Sequence, residues 1–125
     1  MKALAKTMAT AALALSAAAG FAHHSAAPFN FGEPVVIEGI VKEIRVVNPH
    51  TFIVLEITDD ERGTRDVAYE GMSASIFYRA GYTTDSVAIG DTIQITIAPR
   101  FDGEDGGFIS SFTTADGQVI GFQGF

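Results

Sequence analysis

From residue 35 onward the chain alternates apolar and polar side chains in short runs broken by glycine, proline, asparagine and aspartate, as half-buried strands joined by tight turns do. Residues 35–47 predict a long first strand, with Gly39 where a strongly coiled strand or a bulge needs a residue without a side chain. Asn48-Pro49-His50 predicts a turn, because proline fixes its own φ and pushes the preceding residue out of the helical region. A second strand follows over 51–58, where Ile53, Leu55 and Ile57 share the face expected to point into the core, opposite Phe52, Val54 and Glu56. After a turn at 59–63, residues 64–69 predict a third strand. Residues 73–81 carry a helix signature, with Ser73 as the expected cap and Gly81 as the stop. A turn over 85–91 leads into the clearest alternation, Ile93, Ile95 and Ile97 against Gln94, Thr96 and Ala98. A Gly and Asp loop at 102–107, a strand over 108–113 and the Asp116-Gly117 turn into 118–122 predict a final hairpin.

Three strands, one short helix and then two or three more strands is the order expected of a mainly β, small OB-like Greek-key barrel. A β-sandwich is the competing architecture. The single helix between the third and fourth strands and the glycine-containing first strand favour the barrel over a seven-stranded sandwich with no helix. The barrel domain is expected over 35–125. Residues 23–34, with no periodic pattern, two prolines and a glycine, read as an extended N-terminal arm.

Residues 1–22 read as a cleaved signal peptide and are excluded from the fold: Lys2 and Lys6 give a basic start, 7–19 an alanine-rich apolar stretch, and Gly20-Phe21-Ala22 a small-x-small cleavage site. The stretch is too short and too weakly apolar for a membrane span. The expected product is a soluble periplasmic protein of 103 residues. Without Lys2 and Lys6, six basic side chains face fifteen acidic ones, a formal charge of −9 that argues against nucleic acid as a partner. A cation, a basic protein or no electrostatic partner remains. The chain has no cysteine, so neither a lipid anchor nor a disulfide is possible and the fold rests on its core.

The three histidines carry the candidate chemistry. Cleavage after Ala22 makes His23 the N-terminal residue, able to chelate a metal through its amine and its ring Nδ1. One further imidazole completes a three-nitrogen site suited to copper by ligand type and by the Irving–Williams order. His50, in the turn between the first two strands, is the expected partner, and His24 an alternative ligand or an outer-shell group. The arm is long enough to reach that turn. Such a ligand set resembles the histidine brace of copper monooxygenases and some periplasmic copper carriers, which sit on immunoglobulin-like sandwiches. Against this stands the reading of His23 and His24 as a polar terminus without a role, and of His50 as a turn residue bonding a backbone carbonyl.

In order along the chain, His23-His24-Ser25, Glu38-Gly39-x-Val41, Asn48-Pro49-His50, Arg79-x-Gly81-Tyr82-x-x-Asp85-Ser86, Gly90-Asp91 and Asp116-Gly117 resemble a family of small exported bacterial proteins of unknown function. The resemblance spans the mature chain but implies no reaction. The chain departs from it in Ala26 where phenylalanine is common, Asn30 where aspartate is common and Tyr69 where tryptophan is common. If that aspartate served as a ligand, Asn30 would weaken the metal site.

Other constellations carry less. Ser73 and Ser75 lack the surroundings that activate a hydroxyl, so acyl transfer is not expected. The acidic turns around Asp59, Asp60 and Glu61 and around Asp102, Glu104 and Asp105 lack the spacing of a calcium loop and are expected to be solvated. Met72 is a soft donor but more in keeping with packing. Phe29, Phe31, Phe101, Phe108, Phe112, Phe122 and Phe125 suggest core filling or an exposed groove, with Phe122 and Phe125 also suited to a partner-binding tail. The leading functional expectation is a periplasmic copper carrier or delivery module. The alternative is a non-catalytic interaction domain that binds a protein or small ligand through its barrel face or edge. A copper-dependent redox enzyme is least favoured, since nothing beyond the ligands suggests a substrate surface.

Overall fold

A computed structural model describes residues 28–123. The order is β1 (Val35–Arg45), β2 (Phe52–Asp59), β3 (Gly63–Gly71), α1 (Ala74–Arg79), β4 (Thr92–Pro99), β5 (Gly107–Thr113) and β6 (Val119–Gly121). Strands pair in the order β3-β2-β1-β4-β5-β6, and a parallel β3–β5 contact joins the ends into a closed five-stranded barrel with β6 added alongside β5. This is the OB-like barrel with one short helix that the strand order predicts.

Closure depends on how β1 is shared. Its first half, from Val35 to Ile40, pairs with β4, and its second half, from Ile40 to Arg45, pairs with β2. The strand must therefore coil sharply. Gly39 lets it do so: a Cβ there would stand 2.8 Å from the Glu56 carbonyl oxygen and 2.9 Å from Leu55 Cβ. The bulge itself lies further on, where the register against β2 shifts between Val41 and Glu43. Gly39 is thus a close-approach residue and Lys42 the extra one.

The barrel interior is filled by the residues that alternation marks. Ile53, Leu55, Ile93, Ile95 and Ile109 are at most 1 % exposed. Burying such side chains contributes roughly 1.5–3 kcal/mol each. Phe77 from α1 is fully buried and packs its ring 5.3 Å from that of Phe112, so the helix closes the barrel's open side.

α1 differs from expectation in its cap. Ser73 holds the cap position with extended backbone, yet its hydroxyl makes no capping bond. Asn48 supplies the acceptor instead, its Oδ1 taking hydrogen bonds from the Ser75 N–H at 3.3 Å and the Ser75 hydroxyl at 3.2 Å. The Ala74 N–H also donates to the Val47 carbonyl at 3.1 Å, which ends β1 two residues before the predicted limit and ties the turn to the helix. The Asn48–Pro49 peptide in that turn is cis.

The acidic turns are solvent-exposed as expected, and arginines pair with them at the surface. Arg65 bonds both oxygens of Asp105, at 2.6 and 2.7 Å, and pairs with Asp59 at 2.8 Å. Asp59 is held below the usual carboxylate range first by the Arg62 backbone N–H and then by Arg65, and Asp105 first by Arg65. Arg100 pairs with Asp102 at 2.6 Å.

Three substitutions test these roles. Gly39→Ala forces a methyl against the β2 backbone and is expected to destabilise the barrel by about 1–3 kcal/mol in urea unfolding. Asn48→Ala removes a cap from another segment and is expected to cost about 1 kcal/mol, whereas Ser73→Ala, which removes no bond, leaves the melting temperature near that of the parent.

Candidate metal site at the barrel closure

His50 is placed by the closure. Its neighbour Thr51 donates its N–H to the Met72 carbonyl at 2.9 Å and accepts from the Gly71 N–H at 2.7 Å, so the turn leading into β2 is bonded to the end of β3. In the sheet Phe52 faces Glu70 across β2–β3, and Glu70 faces Phe108 across the parallel β3–β5 contact. Glu70, fixed on two sides, stands beside His50: Oε1 lies 2.7 Å from His50 Nδ1, with the side chains 26 % and 28 % exposed.

The oxygen stands off the N–H direction, so Nδ1 is buried without a straight hydrogen bond. Among the described residues neither ring nitrogen bonds a backbone carbonyl, so the structure departs from the reading of His50 as a plain turn residue.

The N-terminal arm docks at the same place. Phe29 forms a bridge with Arg100, the Asn30 N–H donates to the Pro99 carbonyl at 2.8 Å and the Phe101 N–H to the Pro28 carbonyl at 2.9 Å, so the arm runs antiparallel to the chain leaving β4. The Phe29 and Phe31 rings each lie 5.7 Å from the Phe108 ring, and His50 meets Phe108 edge to face at 6.2 Å. Asn30 closes the bend that follows: its Oδ1 accepts from the Gly32 N–H at 3.1 Å, and its amide donates to Glu33 at 3.0 Å. Its side chain is therefore committed to a turn.

His23 and His24, the cleavage site and Phe125 lie outside the described residues. Among the described residues no three His, Cys, Asp or Glu side chains converge as a metal site. His50 and Glu70 supply one imidazole and one carboxylate side by side, of nitrogen and oxygen donor type, and the chain has no thiol. Met72 packs against the core.

Beside the pair runs a groove of about 190 Å³ lined by Phe29, Phe52, Tyr69, Glu70, Arg100 and Asp105, among others. Arg45 lies over the Phe52 ring, 5.1 Å from its centre. Burial pushes the Tyr69 phenol up to about 12, with the Asp105 charge adding to the rise, so this hydroxyl stays protonated at neutral pH. Sequence reasoning missed Glu70 and Arg100. Alternation puts Glu70 on the outer face of β3, but only the β2–β3 pairing and the turn before β2 bring it to His50.

The remaining motif residues meet elsewhere. Thr83, Asp85, Ser86, Asp91, Asp116 and Gln118 line a second concavity of about 310 Å³. Most serve the backbone there: Ser86 accepts from the Thr83 N–H at 2.8 Å, Asp91 from the Ala88 N–H at 2.9 Å, and Asp116 from the Thr114 hydroxyl. Gly81, Gly90 and Gly117 adopt positive φ in the same turns.

Fold and site together define a small OB-like barrel with a histidine–carboxylate pair and a docked aromatic arm at its seam. The chain belongs to the Family of unknown function (DUF6152), whose model matches residues 11–110. No curated protein and no solved structure matches it.

Docking of the arm is open to test. Phe29 is 7 % exposed, and Phe29→Ala is expected to release the arm. In hydrogen exchange, the Asn30 and Phe101 amides should be protected in the parent and lose that protection in the variant, while the Ile53 and Ile95 amides keep theirs.

Proposed function

We propose that this protein is a periplasmic copper carrier or delivery module, exported by a signal peptide over residues 1–22. In this reading the mature chain binds the ion through the amine and ring of His23 together with His50, with His24 in support. One observation carries the reading: the arm is anchored beside His50. Phe108 touches both, at 5.7 Å from the Phe29 ring and 6.2 Å from the His50 ring. The five residue steps from His23 to Pro28 can extend over about 16 Å, which gives the terminus reach around the point where the arm is anchored.

The residues divide the work. The barrel holds His50 in a half-exposed position, and the start of the arm supplies the other half of the chelate. Bound copper would supply one-electron chemistry or exchange, and a site with so few protein ligands leaves coordination positions open for transfer. The acidic balance of the mature chain, −9, favours a cationic cargo.

The groove of about 190 Å³ favours a second reading, a non-catalytic interaction domain in which Phe29, Phe52 and Arg100 bind a protein segment or small ligand.

Native mass spectrometry of the exported, purified protein separates the two. The copper reading expects a mature mass beginning at His23 and one retained Cu(II) per chain. That copper should be lost in His50→Ala and in a variant carrying one extra residue before His23. A different N-terminus, or retention no greater than in a histidine-free control, rules against the copper reading and leaves the interaction domain.

A further inference from the structure

We propose that Glu70 is a positioning residue that keeps a proton on His50 Nδ1 and so presents Nε2 as the donor atom. The proposal deepens the copper reading and rests on it for the identity of the metal.

Two unprotonated acceptors 2.7 Å apart repel, so a carboxylate oxygen at that distance favours a proton on Nδ1 even though it stands off the N–H direction. Glu70 is the charged partner that Nδ1 meets, and Nδ1 is buried. Since the side chain as a whole is 28 % exposed, its accessible surface belongs to the rest of the ring. A metal needs an unprotonated nitrogen, and with Nδ1 committed to its proton that nitrogen is Nε2. The contact with Phe108, edge to face with an interplanar angle of 84°, restrains the ring further.

The backbone makes this arrangement rigid. Glu70 pairs with Phe52 on one side and Phe108 on the other, and the Thr51 bonds to Met72 and Gly71 join the two residues' segments directly. Ring and carboxylate are thereby set before any ion arrives, as is usual where a carboxylate orients a ligating histidine. Glu70 faces outward and is 26 % exposed, so replacing it leaves the core intact.

The first measurement needs no metal. In the metal-free protein, long-range proton–nitrogen correlation spectra of the neutral ring are expected to show the Nδ1–H tautomer. Glu70→Gln, which keeps an acceptor oxygen, should retain it, and Glu70→Ala should shift the ring toward Nε2–H. The second measurement uses Cu(II) alone in competition with a chelator. Glu70→Ala is expected to weaken binding about 10–100-fold, with Glu70→Gln losing clearly less.

A parent ring protonated on Nε2, or a tautomer unchanged in Glu70→Ala, overturns the positioning role whatever copper does. Copper affinity equal in the parent and Glu70→Ala also overturns it. The expected tautomers in a protein that binds no copper would uphold the role of Glu70 and rule out the carrier.

Discussion

The parallel contact between β3 and β5 is the constraint on which the rest of the molecule hangs. It consists of two facing pairs, Glu70 with Phe108 and Gly71 with Ile109, yet it turns an open six-stranded sheet into a barrel. Close packing at this seam explains its small residues. A Cβ on Gly71 would meet Ile109 Cβ at 3.1 Å, and one on Gly107 would meet the Ile97 side chain at 2.6 Å. The same seam places the side chains of chemical interest, because Glu70 and Phe108 belong to it and His50 is bonded to its edge through Thr51. Fold and candidate site therefore share one set of contacts.

Much of the barrel was legible because strands record their environment with a period of two. Ile53, Leu55 and Ile57, and Ile93, Ile95 and Ile97, point inward as alternation implies. Gly39 was legible as a place of special backbone, though alternation could not separate a close approach from a bulge, and the bulge fell at Lys42. What local pattern could not reach was pairing across distance. Ser73 looked like a cap because capping residues normally precede their own helix, whereas Asn48 reaches α1 from the far side of two strands. Glu70 carried no motif and became notable only when its neighbours in space were known. The acidic turns read as solvated and are exposed, but the bond from Arg65 to Asp105 was not legible because it joins two turns forty residues apart.

The recurring words of the sequence divide once the structure is in view. Those in the second half are explained by turn geometry: Gly81, Gly90 and Gly117 take conformations that side chains disfavour, and Ser86, Asp91 and Asp116 close loops as acceptors. In the Asn-Pro-His turn, Asn48 is spent on capping α1. His50 is different. Its ring closes no turn and caps no helix; it faces a carboxylate on another strand and an aromatic cluster that receives the arm. The identity of that residue is thus not accounted for by backbone contacts among the described residues.

The seam has a further consequence for the order in which these side chains meet. His50 and Glu70 are brought together by the β2–β3 hairpin, where Phe52 faces Glu70, whereas Phe108 joins them only through the non-local β3–β5 contact. Non-local pairings of this kind form after local ones, since loop closure must be overcome before the contacts stabilise anything. A chain with the hairpin alone has the imidazole–carboxylate pair but not the aromatic ring that packs on the histidine. Completion of the barrel is thus the step that adds Phe108, and with it the docked arm, to a pair already assembled.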